Sequence, residues 1–327
     1  MIQAYTVENG QMVLRDGMPE AAHLRAAVWI DLSNPTPAEE SAVQEALRVE
    51  VPTREEMQEI ESSSRLYKEG EDLFMTANFL YGMDAGEFGS TAISFVLTNS
   101  TLITVRYATP KAFPTFAARC QKSPALLQSP DGVMLHLFEQ IVDRLADILE
   151  KIGENMDRAS TKSFQAARGD MKVNKRSAAL KEVLITLGQV GEVTTRASET
   201  LLGLNRIFTF VGAEKGSTIR RENQGTIKTL VRDVRSLVEH ANFLNNRATF
   251  LLDAVLGIIN VEQNGIIKTF TIVSVALMPP TLVASIYGMN FEVMPELKWT
   301  VGYPFALLLM AVTGVLPVLY FKRKGWL

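Results

Sequence analysis

The residues whose types and spacing best suit chemistry lie in the last quarter of the chain. Asp253, Gly257, Asn260, Asn264, Ile267, Thr271, Ser274, Met278, Thr281, Ser285 and Gly288 recur at three- and four-residue spacing. That spacing puts them on one face of an α-helix. Its later part falls in a run from Thr269 to Met289, 21 residues without Asp, Glu, Lys, Arg or His. Within that run the face carries hydroxyls, small side chains and Met278, while neighbouring faces carry Ile272, Val273, Leu277, Leu282, Val283 and Ile286. A polar stripe inside a membrane helix normally faces a bundle interior or a water path. Small residues equally serve close helix packing, and the stripe alone fits both. One copy could not enclose a water path, so a pore needs several chains, their asparagines forming rings of amide oxygens. Pro279 and Pro280 remove two helical hydrogen bonds and free the carbonyls of Val275 and Ala276. Such carbonyls are tolerated in a membrane only where protein or water satisfies them, which adds weight to a pore.

These residues need a bilayer-spanning element to hold them. A second uncharged run, Trp299 to Phe321, is 23 residues long. About 20 apolar helical residues cross a bilayer, so the two runs predict a hairpin of spans. The tail Lys322-Arg323-Lys324 is basic, whereas the connector holds Lys298 against Glu292 and Glu296. The positive-inside rule then puts the tail and the long N-terminal portion in the cytoplasm and the connector outside. The first residues have neither a basic flank nor an apolar run, so no signal peptide is expected.

Elsewhere the 327 residues (47% apolar, 21% charged) have a globular composition. A net charge of -3 argues against wholesale nucleic-acid binding. The one cysteine, Cys120, excludes an intrachain disulfide and fits an inert buried thiol in a reducing compartment. His23, His136 and His240 are far apart, and none has a Cys or His at ligand spacing. The segment from Gly212 to Ser217 lacks a Gly-Lys-Ser/Thr ending and follows no strand, so it reads as a turn rather than a phosphate loop. Asp31 and Glu61 are too isolated to pair. No enzyme, ATP-driven pump or organic cofactor is expected.

Residues 1–130 read as an α/β cytoplasmic domain. Ile2–Val7 and Gln11–Arg15 flank an Asn-Gly turn, and Ala27–Leu32 reads as a buried strand. Thr36-Pro37-Ala38-Glu39 opens a helix with a capping box. Leu66–Lys68 with Leu73–Leu80, and Ala92–Leu97 with Leu102–Tyr107, form two more strand pairs in a mixed sheet whose order is not legible. Apolar residues at helical spacing (Leu137, Ile141, Leu145, Ile148, Ile152, then Leu180, Val183, Leu184, Leu187, Val190) predict a helical hairpin over 131–217. From Thr218 no proline occurs until Pro279. A single helix from Thr218 to Tyr287 would be about 100 Å long: a stalk (218–268) continuing into a first span (269–289). A loop (290–298), a second span (299–321) and a basic tail (322–327) follow.

The first span ends in Tyr287-Gly288-Met289-Asn290-Phe291, followed by Met294-Pro295-Glu296-Leu297. On these residues the chain resembles the CorA family of divalent-cation channels, in its magnesium-transporting branch rather than the ZntB-like zinc branch. The resemblance extends through Pro279–Ala284 and the ending Tyr320–Leu327. It is specific over Asn260–Leu327 and looser over the cytoplasmic portion. It implies a funnel-shaped homopentamer in the bacterial inner membrane, in contact with lipid and with both termini cytoplasmic. The first span would line the pore. Gly288, Met289 and Asn290 would form the selectivity filter, with Asn264, Ile267, Phe270, Thr271, Ser274, Met278, Thr281 and Ser285 lining the pore below it. Ile267 and Phe270 fall where the family has bulky apolar residues that close the pore, and Asp253 matches an acidic cytoplasmic ring. Glu292 and Glu296 would concentrate cations outside. For the family's regulatory magnesium sites the loose counterparts are Asp84, Glu87 and Asp233, while one expected stalk acid falls on Thr229.

Magnesium is thus the expected transported ion and a candidate regulator, with Co2+ or Ni2+ as further cargo. It releases water reluctantly and prefers oxygen ligands, and neutral Asn290 amides can hydrogen-bond a hydrated ion without trapping it. Softer metals favour imidazole or thiolate, and residues 253–327 contain neither His nor Cys. Two alternatives fit the same residues: a zinc or other transition-metal transporter of the same superfamily, and a membrane-tethered scaffold without flux.

Overall fold

The computed structural model describes residues 1–83, 88–168, 173–214, 219–290, 292 and 294–326. They divide into two compact units, Met1–Leu252 and Asp253–Leu327.

In the first unit, β1 (Ile2–Glu8) and β2 (Gln11–Gly17) form the hairpin expected from Asn9-Gly10. Both turn residues have positive φ, 50° and 77°, the conformation that matches the twist of a two-residue hairpin. β3 (Trp29–Ser33), β4 (Leu66–Glu69), β5 (Asp72–Tyr81), β6 (Gly89–Leu97) and β7 (Leu102–Arg106) complete a sheet of order β2-β1-β3-β7-β6-β5-β4. β3 and β7 pair in parallel, with Asp31 opposite Thr104 and Ser33 opposite Arg106. The other neighbouring pairs are antiparallel.

Alternate side chains serve opposite faces of the sheet. Ile30, Leu32, Val96, Ile103 and Val105 pack with Leu24 of α1 (Ala21–Ala26) and with Val43 and Ala46 of α2 (Pro37–Leu47). α2 starts as its sequence predicts. The Thr36 hydroxyl accepts from the Glu39 N–H, and the Glu39 carboxylate accepts from the Thr36 N–H at 2.8 Å. Two otherwise orphaned helix donors are thereby satisfied. A short helix, α3 (Ser62–Arg65), leads into β4.

The other face carries Trp29, Phe79 and Phe95. Trp29 meets Phe116 of α4 (Ala112–Lys122). Phe95 lies 4.8 Å, centroid to centroid, from Phe138 of α5 (Pro130–Ala167), which lies 5.4 Å from Phe208 of α6 (Val173–Ala213). Offset and edge-to-face arrangements of this kind add to plain burial. The apolar series on α5 is buried as expected, as are Leu180, Val183, Leu187 and Val190 on α6; Leu184 is half-buried. Gly203 lets α6 press on β5, since a Cβ there would meet the Cβ of Ala77 at 2.9 Å. α6 ends at Ala213, and the turn read over Gly212–Ser217 lies largely outside the described residues.

α7 runs Gln224–Tyr287, 64 residues, after a 3-10 turn at Arg221–Asn223. It starts at Gln224 rather than Thr218. The approach is held by the buried Asp131 in the first turn of α5. Its carboxylate accepts from the Arg220 N–H at 2.8 Å and from Asn223 Nδ2 at 2.7 Å.

The second unit contains α7 from Asp253 onward, a 3-10 turn at Pro295–Lys298 and α8 (Gly302–Arg323). α7 and α8 both contain a stretch long and apolar enough to cross a bilayer, and almost none of either stretch is buried within the chain. A core helix of equal length would be mostly covered.

Candidate ion-conduction face

α8 covers one side of α7. The covered side comprises Ile272, which is buried, and Ala276, Pro279, Pro280, Val283 and Tyr287, which are half-buried. At 3.6 residues per turn this side lies roughly 180° from the stripe read in the sequence. On that opposite side Asn264, Ile267, Thr271, Ser274, Met278, Thr281, Ser285 and Gly288 are exposed. The close-packing reading is therefore not met within one chain: the small and polar face of α7 is left uncovered by α8.

The Thr271 and Thr281 hydroxyls donate to the carbonyls of Ile267 and Leu277 at 2.8 and 2.7 Å. Their donors are used within the helix, and their oxygens remain available on the exposed face. Ile267 and Met278 are 60% and 69% exposed, and Phe270, beside the stripe, is 70% exposed. These are large apolar side chains that the described residues leave mostly exposed.

Two prolines sit inside α7 without ending it. Of the two carbonyls freed by these prolines, one is met by protein. Ala276, four residues before Pro280, points its carbonyl at α8, where a Cβ on Gly314 would lie 3.3 Å from the oxygen and 3.1 Å from Cγ of Pro280. Protein covers that carbonyl, so it carries no weight for a water path.

At the C-terminal end of α7, Gly288 N–H still donates to Ala284 O at 3.0 Å and Met289 N–H to Ile286 O at 3.2 Å. The helix closes there, and Gly288, Met289, Asn290 and Glu292 are exposed. The side chain of Glu296 lies outside the described residues. At the other end of the unit, Asp253 is exposed. Between them, Lys268 Nζ sits 5.9 Å from the Trp326 ring, which stacks on Phe321 at 5.2 Å. The basic tail thus folds back toward the base of the first apolar stretch.

The regulatory candidates do not converge in what is described. Asp84 and Glu87 lie outside the described residues. Asp233 is on α7, 3.7 Å from Arg232 Nε. Burial chiefly, then the carboxylate of Glu139, holds the nearby Asp143 carboxyl above its ordinary pKa, with Asp147 and Asp233 adding to this and Arg119 opposing it. Among the described residues no three His, Cys, Asp or Glu side chains gather as a metal site. His136 Nδ1 is 3.3 Å from Glu139, and His240 stacks on Phe243.

Two polar groups escaped the sequence reading. Asp31 is paired after all, with Arg106 from the adjoining parallel strand. Arg106 Nη2 donates to Asp31 Oδ2 at 2.8 Å, Thr104 Oγ1 donates to Oδ1 at 2.7 Å, and Trp29 Nε1 donates to Thr104 at 3.0 Å. The signal was a single charge in each of two largely apolar strands, Asp31 in β3 and Arg106 in β7. The role of Asp131 had a weaker signal, a helix-start carboxylate after Ser129-Pro130.

An α/β unit with helices on both sheet faces, joined in sequence to two long apolar helices able to cross a bilayer, fits a membrane protein. The family model described as CorA-like Mg2+ transporter protein matches residues 25–323. The chain belongs to that family. It is 34% identical over 327 residues to the magnesium transport protein CorA of Escherichia coli K12, covering all of both chains. It is equally similar to that of Sodalis glossinidius. Among solved structures it is similar to the complete CorA magnesium transporter of Methanocaldococcus jannaschii, with a TM-score of 0.76 at 16% identity over 100% of this chain and 99% of that one. It is also similar to full-length CmaX, with a TM-score of 0.68 at 14% identity over 99% and 97%. The structural likenesses establish the shared fold.

Proposed function

We propose that this chain is a passive magnesium uptake channel, driven by the membrane potential, that conducts hydrated divalent cations between copies of α7. The observation that carries the reading is the exposed polar stripe on the side of α7 opposite α8, running to Gly288-Met289-Asn290. In the assembly, a homopentamer in the inner membrane, α7 forms the inner wall and α8 faces lipid. The N-terminal unit and the basic tail are cytoplasmic, residues 290–298 are outside, and the boundaries read from the sequence mark stalk, spans and tail. Asn290 amides engage the entering hydrated ion, Glu292 and Glu296 raise the local cation concentration, and Ile267 and Phe270 narrow the neck above the Asp253 ring. Exposed Phe243 and Phe250, on the α7 surface of the first unit, are apolar side chains that neighbouring copies would cover. A doubly charged ion moving down the potential releases about 4.6 kcal/mol per 100 mV, so no chemical fuel and no catalytic step are required. Cytoplasmic magnesium acts as regulator through acids on the first unit, Asp233 among them.

The test is rescue of a magnesium-requiring bacterial strain, with ion flux measured in liposomes containing the chain or its Asn290→Ala variant. Magnesium flux in the parent that is lost in the variant supports the reading. Zinc uptake without magnesium flux replaces it with the transition-metal alternative, and absence of flux for any ion leaves a membrane-tethered scaffold.

A further inference from the structure

We infer that Gly314 of α8 is a positioning residue for conduction: it seats the proline-interrupted turn of α7 at Ala276–Pro280, so that the second span sets the direction of the polar stripe. The inference rests on the proposed conduction along α7 and adds a role for a helix that the reading leaves only facing lipid.

The ring nitrogen of Pro280 has no hydrogen, so the Ala276 carbonyl loses its intrahelical partner. In hydrocarbon such an oxygen must be covered. Gly314 provides the cover because it has no side chain. A Cβ built there would lie 3.3 Å from Ala276 O and 3.1 Å from Pro280 Cγ, both tighter than ordinary contact. The backbone of α8 therefore touches α7 where its hydrogen-bond ladder is interrupted and bending is easiest. The neighbours agree. The α7 side of α8 presents Gly302, Ala306 and Gly314 among its covered residues, whereas Leu307, Leu308, Val312, Val315, Leu316 and Leu319 are exposed.

The geometry has a mechanical result. Ala276 and Pro280 meet α8 at Gly314, and Ser274, Met278, Thr281 and Ser285 lie exposed on the far side over about three turns. A displacement at Gly314 is passed to that far side because the backbone of α7 lies between them. Adding one methyl requires the two helices to part, or the touching turn of α7 to shift, by a few tenths of an ångström. Either change moves the stripe.

The experiment compares magnesium uptake into liposomes by the full-length parent, Gly314→Ala, Pro280→Ala and the double variant, with oligomer integrity followed by size in detergent. Val315→Ala, on the exposed side of α8, is the control. Gly314→Ala is expected to lower the initial uptake rate about tenfold, as ~1.4 kcal/mol of overpacking strain in the conducting arrangement would do. Val315→Ala should keep the parental rate. Pro280→Ala removes the Cγ that the new methyl meets and supplies an N–H for the Ala276 carbonyl. The double variant should therefore regain most of the parental rate, a rescue that generic destabilisation would not give. Parental flux in Gly314→Ala, or a double variant that assembles but conducts no better than the worse single variant, overturns the inference while leaving conduction intact. Should Gly314→Ala fail to assemble, recovery of assembly and flux together in the double variant supports the joint, and recovery of assembly alone overturns it. A parent without flux removes the conduction reading and this inference together.

Discussion

Asp131 and Arg220, 89 residues apart in sequence, are joined by a 2.8 Å hydrogen bond from the Arg220 backbone N–H to the Asp131 carboxylate. The same oxygen accepts from Asn223, and Gly132 N–H donates to the Ser129 hydroxyl beside it. One buried carboxylate thus ties the start of α5 to the approach of α7. Any change in that approach is felt by both helices.

Asp131→Asn should destabilise the first unit by about 1.5–3 kcal/mol, the range for a hydrogen bond to a charged group. Burial pushes the Asp131 pKa up, but the donors from Arg220 and Asn223 outweigh it and hold the carboxyl below its ordinary value. The folded chain therefore binds this proton less readily than the unfolded one. The stabilisation is complete above the unfolded value near 3.9 and is lost as pH falls through the folded one. Thermal melting of parent and variant should differ at neutral pH and converge in acid; a constant difference would refute the assignment.

Asp31→Ala leaves the Arg106 guanidinium buried without its carboxylate. Breaking a buried pair from one side costs about 3–5 kcal/mol. A large fall in melting midpoint is expected, and an unchanged midpoint would show that the pair contributes little.

The Cys120 thiol is fully buried, and that burial pushes its pKa up to about 12, with Arg119 opposing. At pH 8 native protein should resist iodoacetamide, while denatured protein should react to one equivalent. Mass spectrometry of the two samples decides this.

Asn290→Asp puts carboxylates where the proposed filter has neutral amides. Selectivity should change or flux should fall, with assembly intact. Unchanged flux and selectivity in a correctly assembled variant would remove Asn290 from the filter.

Ile267→Asn separates two roles for an exposed apolar side chain. In a dewetted neck the amide admits water and raises magnesium flux. If Ile267 only packs between copies, a buried amide costs about 1–3 kcal/mol per unsatisfied group, loosens the oligomer and lowers flux. Uptake measured alongside oligomer size gives opposite signs for the two.

Local signals carried much of the fold. Asn9-Gly10 specified a hairpin and Thr36-Pro37 a helix start, because both act through neighbouring residues. The 3.6-residue period placed the α5 and α6 cores and the α7 stripe. Strand order was not legible, because β3 pairs with β7 only after three intervening strands, and no local pattern encodes that partnership. Asp31 was passed over for the same reason: its partner is 75 positions away. The stripe could be listed residue by residue, but its relation to α8 could not. That needed the contact at Gly314, where the informative feature is a missing side chain.

The opposition of α8 and the polar stripe has an evolutionary corollary. Each face of these two helices answers to a different selective demand. Exposed aliphatic positions such as Leu308, Val312 and Leu319 should drift freely among Leu, Ile and Val, since any of them suits hydrocarbon. Positions on the α7 stripe have no such neutral network if they line the proposed shared path, because a change of one methyl or hydroxyl then alters that lining once per copy. Gly314 is more constrained still: every substitution adds volume, so lineages that keep Pro280 have little room to exchange it first. The expected record is a slow clock and a fast clock running side by side within the same hairpin.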